Sequence, residues 1–391
     1  MLYRRLTEQD IERCIALEAY AFQVNPDRSN LAQGKLAQFR GLFDGDTLLA
    51  QLERLPLRVR TGGGEIAAAG IGSVASAPET RRRGHVDTLM RQLADELRAD
   101  SVPLAILYPF KRSFYARYGW ATFFERRVYH GAPARFAPFR PGQGGFVAAG
   151  LSDLAELDRI YSGALRGRFG PLIRDAAWWR EQVLEDWEHR PCHAFIWRDA
   201  QGQGRAYLIY QIKGEGEQRR LQCREIAALD PEARAQLFAF LAGHQDQVES
   251  VRFPAPADAP VNLLLPEPLE CAVEPHFMLR LLDVPAALEG HTFPPDLAGS
   301  LTIAVRDAWI AENQGVYELE FAAGRCQVRR LPAESSADLS CDVSTLAQLY
   351  SRYLRPRTAV AFGLMEAQSR AALELAERAF AGLAPFCCDF F

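Results

Sequence analysis

Gly70-Ile71-Gly72-Ser73-Val74-Ala75-Ser76-Ala77-Pro78-Glu79-Thr80-Arg81-Arg82-Arg83-Gly84-His85-Val86-Asp87-Thr88-Leu89-Met90-Arg91 carries more structural information than any other stretch of the chain. An apolar run of strand type ends at Val74, Pro78 marks a turn, and a basic loop containing Gly84 opens directly into a helix. The layout is that of an anion cradle. The first backbone amides of a helix lack intrahelical partners and lie at the positive end of its dipole, so they hold a pyrophosphate without any catalytic side chain. Gly84 permits close backbone approach, and Arg81, Arg82 and Arg83 add cations that reach anionic oxygens.

On the N-terminal side, Thr7 followed by Asp10 has the form of a capping box with an acid in place of the usual Glu. Ile11, Cys14, Ile15 and Ala19 then recur at helical spacing, which predicts a first helix to about Ala21. A second helix is predicted around Leu31–Phe43. Apolar runs at Thr47–Arg60 and Glu65–Ala75, divided by Gly62-Gly63-Gly64, predict a hairpin that leads into the cradle. Beyond it come a helix from about Gly84 to Arg98, a strand at Pro103–Tyr108, a short helix at Arg112–Arg117 and a strand at about Ala121–Tyr129. Helices alternating with strands in this order make an α/β unit with a mixed sheet.

Composition sets outer limits. At 391 residues the chain exceeds what one core usually supports, so two or three domains are expected. A net charge of −4 gives no global basic footprint for nucleic acid. No signal peptide and no run of apolar residues long enough for a membrane span is visible, which makes the cytoplasm the default location. The eight cysteines are scattered and form no Cys-x-x-Cys pair, as expected of reduced, buried thiols. His189-Arg190-Pro191-Cys192-His193 is the one ligand-like cluster. Pro191 opposes the helix that would put both imidazoles on one face, and no second pair completes a tetrahedral set, so no metal is expected.

The cradle has neither the Gly-Lys-Ser/Thr ending of a Walker A loop nor three spaced glycines. Arg81-Arg82-Arg83-Gly84-His85-Val86 resembles instead the acetyl-CoA loop of the GNAT acetyltransferases, Arg/Gln-x-x-Gly-x-Gly/Ala after a strand, with Val86 departing from the small last position. The resemblance implies acetyl-CoA as acetyl donor. It also implies two adjacent parallel strands that splay, with the pantetheine arm in the gap against free amides of Val74, Ala75 and Ser76. Splayed strands leave backbone groups unpaired until a ligand satisfies them, and the amide-rich pantetheine is a suitable partner. Lys111-Arg112-Ser113-Phe114-Tyr115-Ala116-Arg117-Tyr118-Gly119-Trp120 offers two phenols, either of which is a chemically apt acid for a departing thiolate.

The Tyr-x-x-Tyr/Phe-Gly arrangement of Tyr115, Tyr118 and Gly119 resembles that of the enhanced intracellular survival (Eis) family of GNAT enzymes, in which the first tyrosine is the acid; the resemblance maps that role to Tyr115. It extends over the whole chain and implies tandem GNAT folds followed by a sterol carrier protein type 2-like α+β domain. The expected divisions are 1–134 with the acetyl-CoA site, 135–282 without its own loop, and 283–391. Strands near His193–Arg198 and Ala206–Lys213, a helix near Pro231–His244, and Trp178-Trp179-Arg180 on a preceding helical stretch suit the middle region. Phe277-Met278-Leu279-Arg280-Leu281-Leu282-Asp283-Val284-Pro285-Ala286-Ala287-Leu288 resembles the family's crossover into the last domain. There strands are expected at Gly299–Arg306, Gly315–Ala322 and Arg325–Leu331, and helices at Val343–Tyr353 and Glu366–Phe380.

The chain ends Pro385-Phe386-Cys387-Cys388-Asp389-Phe390-Phe391, apolar where most termini are polar, which predicts a docked end. A docked Phe391 α-carboxylate would be ionised and able to take a proton from an attacking ammonium, and Asp389 would add charge that attracts cations. The Eis resemblance assigns the base role to the terminal carboxylate, hence Phe391. It further implies multi-amine acceptors such as aminoglycosides, or lysine side chains, in a wide acidic pocket, and a homohexamer of two trimers. Glu18, Phe22 and Asp27 are candidate pocket residues. No cysteine falls in the cofactor segments, so the expected chemistry is direct transfer to a primary amine. The competing class is a non-catalytic acetyl-CoA sensor or apolar-ligand carrier on the same scaffold.

Overall fold

The computed structural model describes residues 1–23, 35–185 and 191–391. Its first sheet is built from β1 (Leu2–Arg5), β2 (Phe39–Asp44), β3 (Thr47–Thr61), β4 (Glu65–Ser76), β5 (Leu104–Leu107) and β6 (Ala121–Thr122). β15 (Met278–Leu281), from much later in the chain, lies between β5 and β6, and β9 (Phe169–Leu172) pairs with β3. The hairpin predicted around Gly62-Gly63-Gly64 is present as β3 and β4, closed by a Thr61 N–H to Gly64 carbonyl bond of 2.9 Å. Thr7 caps as foreseen, with Asp10 Oδ2 accepting from its amide at 2.9 Å, and α1 (Ile11–Phe22) follows. α2 (His85–Ala99) buries Leu89, Met90, Leu93, Ala94 and Leu97 against Leu52, Ala69, Ile71, Ala105 and Leu107 of the sheet.

Two predicted elements are corrected. The helix expected over Leu31–Phe43 is instead a 3₁₀ turn at Lys35–Gln38 followed by strand β2, its first four residues lying outside the described ones. Pairing on both edges, with β1 and β3, overrides local propensity there. Arg40 is buried within β2 because Glu96 of α2 accepts from its Nε at 2.9 Å and its Nη2 at 2.6 Å. The single strand expected over Ala121–Tyr129 is broken by Phe123 and Phe124, both fully buried. β6 stays in the first sheet while β7 (Glu125–Gly131) joins the second.

The second sheet comprises β7, β8 (Gly145–Ala148), β10 (His193–Arg198), β11 (Gly204–Lys213), β12 (Arg220–Ala228), β13 (Ser250–Pro256) and β14 (Glu270–Pro275), in the order β14-β7-β13-β12-β11-β10-β8. α4 (Leu154–Ala164) and α5 (Pro231–Ala242) pack on it, α3 (Arg112–Ala116) having preceded them in the first unit. α5 opens with Asp230 capping the Ala233 amide at 3.0 Å and Pro231 at its first position, so an acid occupies the place of an anion cradle. Sheet membership crosses positions 134 and 282. β7 serves the second sheet and β15 the first, so the two units exchange strands.

The third sheet, β18-β17-β16-β19-β20, contains β16 (Gly299–Arg306), β17 (Gly315–Ala322), β18 (Arg325–Leu331), β19 (Leu339–Asp342) and β20 (Met365–Ala367). α6 (Val284–Glu289), α7 (Val343–Tyr350), α8 (Pro356–Ala361) and α9 (Arg370–Ala379) accompany it. The last helix begins four residues later than Glu366, which lies in β20. Ser369 sets the start by accepting from the Ala372 amide at 3.1 Å. One continuous apolar core holds Leu57 and Ala68 of the first sheet, Ile196 and Tyr207 of the second, Ile303 and Leu319 of the third, and Phe386 near the terminus. Arg280 of β15, fully buried, donates to Asp307 at 2.5 Å, fastening the third unit to the first.

Candidate functional site

β4 and β5 run parallel over Ala68–Ile71 and Leu104–Leu107 only. Past Ile71, β4 continues to Ser76 with no strand on that side, so the two strands splay. A bulge helps to cause this: the β3 register slips between Gln51 and Glu53, and Ser73 takes a left-handed φ of +49°. Gly84 then caps α2 with φ +83°, no atom lies within 4 Å of where its Cβ would be, and no side chain caps the first turn. A cleft of about 650 Å³ runs from the splay over this loop. Ser76, Arg81, Arg82, Gly84, His85 and Val86 line one wall, whereas Arg83, Val74 and Ala75 lie off the lining. Val74 packs toward α2 and Ala75 toward α1, leaving them their backbone as the means of contact.

The opposite wall carries Tyr118, one of the two candidate phenols, and otherwise was not foreseen. It holds Phe114, Arg117, Tyr118 and, from the third unit, Trp309. The Trp309 ring lies 5.4 Å from that of Tyr118, and its Nε1 donates to Asp87 at 3.4 Å. No local pattern marks Trp309, because only the fold brings residue 309 to α2. Splayed strands, an uncapped helix start and exposed guanidinium groups together fit the pantetheine and pyrophosphate of acetyl-CoA.

A second cleft, of about 430 Å³, opens beside the splay. Glu18, Glu53, Asp175 and Glu181 line it with Ser73, Trp178 and Phe391, against the cation Lys35. Glu18 is therefore placed as expected. Phe22 is exposed outside the lining, and Asp27 lies outside the described residues. Glu53, Trp178 and Asp175 are additions that no spacing announces. Burial, reinforced by the charge of Glu18 and opposed by Lys35, pushes the Glu53 carboxyl up to about 7. Burial also raises Glu18, against a hydrogen bond with Ser73.

The terminus is docked. Phe391 stacks on Phe277 with ring centroids 4.9 Å apart at 18°, and its ring edge lies 2.8 Å from where a Cβ on Gly70 would stand. Phe390 is exposed, with its ring centroid 5.1 Å from that of Tyr108. Asp389 corrects the expectation of a charge facing substrate: it is buried, and Arg174 Nε (2.9 Å) and Trp178 Nε1 (2.7 Å) donate to its Oδ1. Arg174, wholly buried, also donates to Glu225, and its Cζ lies 3.8 Å from the Tyr161 ring centroid. Desolvation would make an isolated carboxylate here prohibitive, so Asp389 is spent on anchoring the chain end and Trp178.

Tyr115, on α3, is buried in an aromatic cage with Phe110, Phe114 and Trp120. Burial and the neighbouring Tyr118 hold its phenol above the ordinary range, so it stays protonated. Tyr118 is also buried, with burial raising its phenol and the neighbouring Arg117 opposing that, and it lines the cofactor cleft. Among the described residues no group of three or more His, Cys, Asp and Glu is placed to hold a metal; His189 lies outside them. No helix among them is long and apolar enough to cross a membrane.

The chain matches the acetyltransferase (GNAT) domain over residues 2–123, a second acetyltransferase (GNAT) domain over 170–281 and the sterol carrier protein domain over 284–388. An uncharacterized N-acetyltransferase of Streptomyces griseus is 28% identical over 387 residues, covering 92% of this chain and 91% of that one. The N-acetyltransferase Eis of Mycobacterium tuberculosis is 24% identical over 334 residues, covering 82% and 79%. Among solved structures, a GCN5-related N-acetyltransferase from Anabaena variabilis superposes over the full length of both chains with a TM-score of 0.91 at 24% identity, and Eis1 from Mycobacterium abscessus does so with 0.83 at 23%. Two GNAT folds with a cradle at the first splay make this chain an N-acetyltransferase whose donor is acetyl-CoA. With its sterol carrier-like third domain it belongs to the Eis family of GNAT enzymes.

Proposed function

We propose that the enzyme transfers acetyl directly from acetyl-CoA to a primary amine of a multi-amine acceptor, an aminoglycoside, a polyamine or a lysine side chain. The observation that carries this is the placing of two clefts along the splayed end of β4, with Ser76 on one and Ser73 on the other. The basic cradle opens on one side, and the acidic cleft that receives Phe391 opens on the other. An acidic wall favours cationic acceptors by simple Coulomb attraction. In this reading the backbone amides of Val74 or Ala75 polarise the thioester carbonyl, Arg81, Arg82, Arg83, Gly84, His85 and Val86 hold the pyrophosphate, and the Phe391 carboxylate accepts a proton from the amine. Tyr115 protonates the leaving sulfur.

One observation favours a second assignment of the acid: Tyr118 lines the cofactor cleft and Tyr115 does not. Tyr115→Phe and Tyr118→Phe separate them. The acid's variant lowers kcat with acetyl-CoA affinity unchanged, and a Tyr115→Phe enzyme of normal kcat would move the role. For the base, a C-terminal extension past Phe391 should abolish most turnover and leave acetyl-CoA binding intact; unchanged turnover would sink that role. The divisions at 134 and 282, a cytoplasmic location and a homohexamer of two trimers complete the proposal. Light scattering at six times the 43.7 kDa chain mass would support the hexamer, and a smaller particle would refute it.

A further inference from the structure

β4 presents Gly70 and Gly72 on the same face, two residues and about 7 Å apart. Each glycine leaves a gap, and each gap is filled from elsewhere in the chain. The Phe391 ring fills the first, while Glu53 Oε2 lies 3.3 Å from where a Cβ on Gly72 would stand. The two carbon-free positions therefore seat the chain terminus and a side-chain carboxylate next to one another. Gly72 directly precedes Ser73, whose left-handed backbone turns β4 away from β5. Glu53 thus stands at the mouth of the splay, on the wall of the acidic cleft rather than behind it.

We infer that Glu53 is the group that takes the first proton from the acceptor ammonium, with Glu18 as the positioning residue that tunes it. The assignment rests on the acetyl-transfer reading above and adds Glu53 ahead of the terminal carboxylate, which takes the amine's second proton. The ammonium gives a proton to the Glu53 carboxylate, and the freed nitrogen lone pair forms the C–N bond. The C–S bond breaks, and sulfur takes the phenolic proton of Tyr115. The nitrogen's second surplus proton passes to the Phe391 carboxylate and on to that phenol, and the Glu53 proton leaves to solvent, so one ammonium and one thioester give one amide, one thiol and one released proton. The charged and titratable groups around Glu53 are Glu18 and Cys14 of α1, Lys35 of the turn before β2, Asp175 and Glu181 across the cleft, and the terminal carboxylate. A carboxyl poised near neutrality is better matched to this task than an ordinary one, because it accepts a proton more readily and is still half ionised at pH 7.

The test is the pH dependence of kcat/KM for amine acetylation by the chain ending untagged at Phe391 and its Glu53→Gln, Glu53→Asp and Glu18→Gln variants. Melting temperature and acetyl-CoA affinity serve as controls for folding. The wild-type rate should fall on an acid limb centred near pH 7. Glu53→Gln should lower kcat/KM at pH 7 by about a hundred-fold and remove that limb, leaving a rate that climbs with the free-amine fraction. Glu53→Asp should restore the limb at a reduced rate. Glu18→Gln removes a like charge, so it should move the limb to lower pH, whereas Glu53→Gln removes it. A Glu53→Gln enzyme with wild-type rate and limb would overturn the assignment while leaving acetyl transfer standing. A wild-type chain that binds acetyl-CoA and acetylates no amine would overturn both.

Discussion

Replacing Asp389 by Asn probes how the chain end reaches the active site. The substitution conserves volume and removes the charge. Asp389 Oδ1 now accepts from Arg174 and from Trp178, both charge-assisted bonds in a dry environment. Breaking a buried ion pair costs about 3–5 kcal/mol. Arg174 retains Glu225, so the lower end applies, and about 3 kcal/mol is a hundred-fold shift of the terminus toward the undocked state. Carboxypeptidase digestion under native conditions reads that shift, because only an undocked Phe390-Phe391 enters the protease. We expect the variant to lose its last two residues about a hundred times faster than the parent and to lose turnover in parallel, with acetyl-CoA affinity unchanged. Digestion at the parental rate would refute the reasoning, since it would mean that the Phe391 ring alone holds the end in place.

Three further outcomes follow from particular contacts. Gly70→Val should expel the terminus from its seat, because its Cβ would fall 2.8 Å from the Phe391 ring and 2.9 Å from Leu57; a loss of turnover with acetyl-CoA binding kept is expected, checked by the same digestion. Gly84→Ala meets no atom but is strained at φ +83° by about 1–2 kcal/mol, so calorimetry should show acetyl-CoA affinity about ten-fold weaker and a melting temperature little changed. Burial would raise the Glu96 carboxyl, yet hydrogen bonds from Arg40, Tyr3 and Arg54 outweigh it and hold it down at about 2. A depressed carboxyl contributes stability above its unfolded value near 4.3 that is lost as pH falls toward 2. Glu96→Gln should therefore destabilise the chain by about 2–3 kcal/mol at pH 7 in urea unfolding, a difference that shrinks below pH 4 and closes near pH 2.

The cradle was legible because its chemistry is local: one strand, one turn, three arginines and one glycine are contiguous, and the backbone does the binding. The hairpin before it and three of the five strands of the third unit were legible for a similar reason, since period-two apolar patterns and glycine turns announce themselves. β2 was not, because Phe39–Asp44 becomes a strand only through pairing on both sides. The exchange of β7 and β15 was hidden too, for a strand's partner is a tertiary fact and Met278–Leu281 fits either sheet by pattern. Within the site, the Phe391 ring was foreseen as docked and is. Asp389 was expected to add charge that attracts cations; Arg174, 215 residues away, takes that charge into a buried pair. Glu53 escaped notice because it reads as one polar position in a long strand, and only the slip in β3 register brings it over Gly72.

Acetyl transfer is tested most directly by the products formed from amines. The chain ending untagged at Phe391, incubated with acetyl-CoA and a panel of aminoglycosides, polyamines and lysine peptides, should yield acceptors heavier by one or more acetyl groups in mass spectrometry. Following the amine product avoids interference from eight cysteines in a thiol assay. Acetylation confined to acceptors carrying several amines is the predicted result. No mass gain on any amine, from a chain that binds acetyl-CoA, would contradict it and leave a scaffold that senses the cofactor without using it.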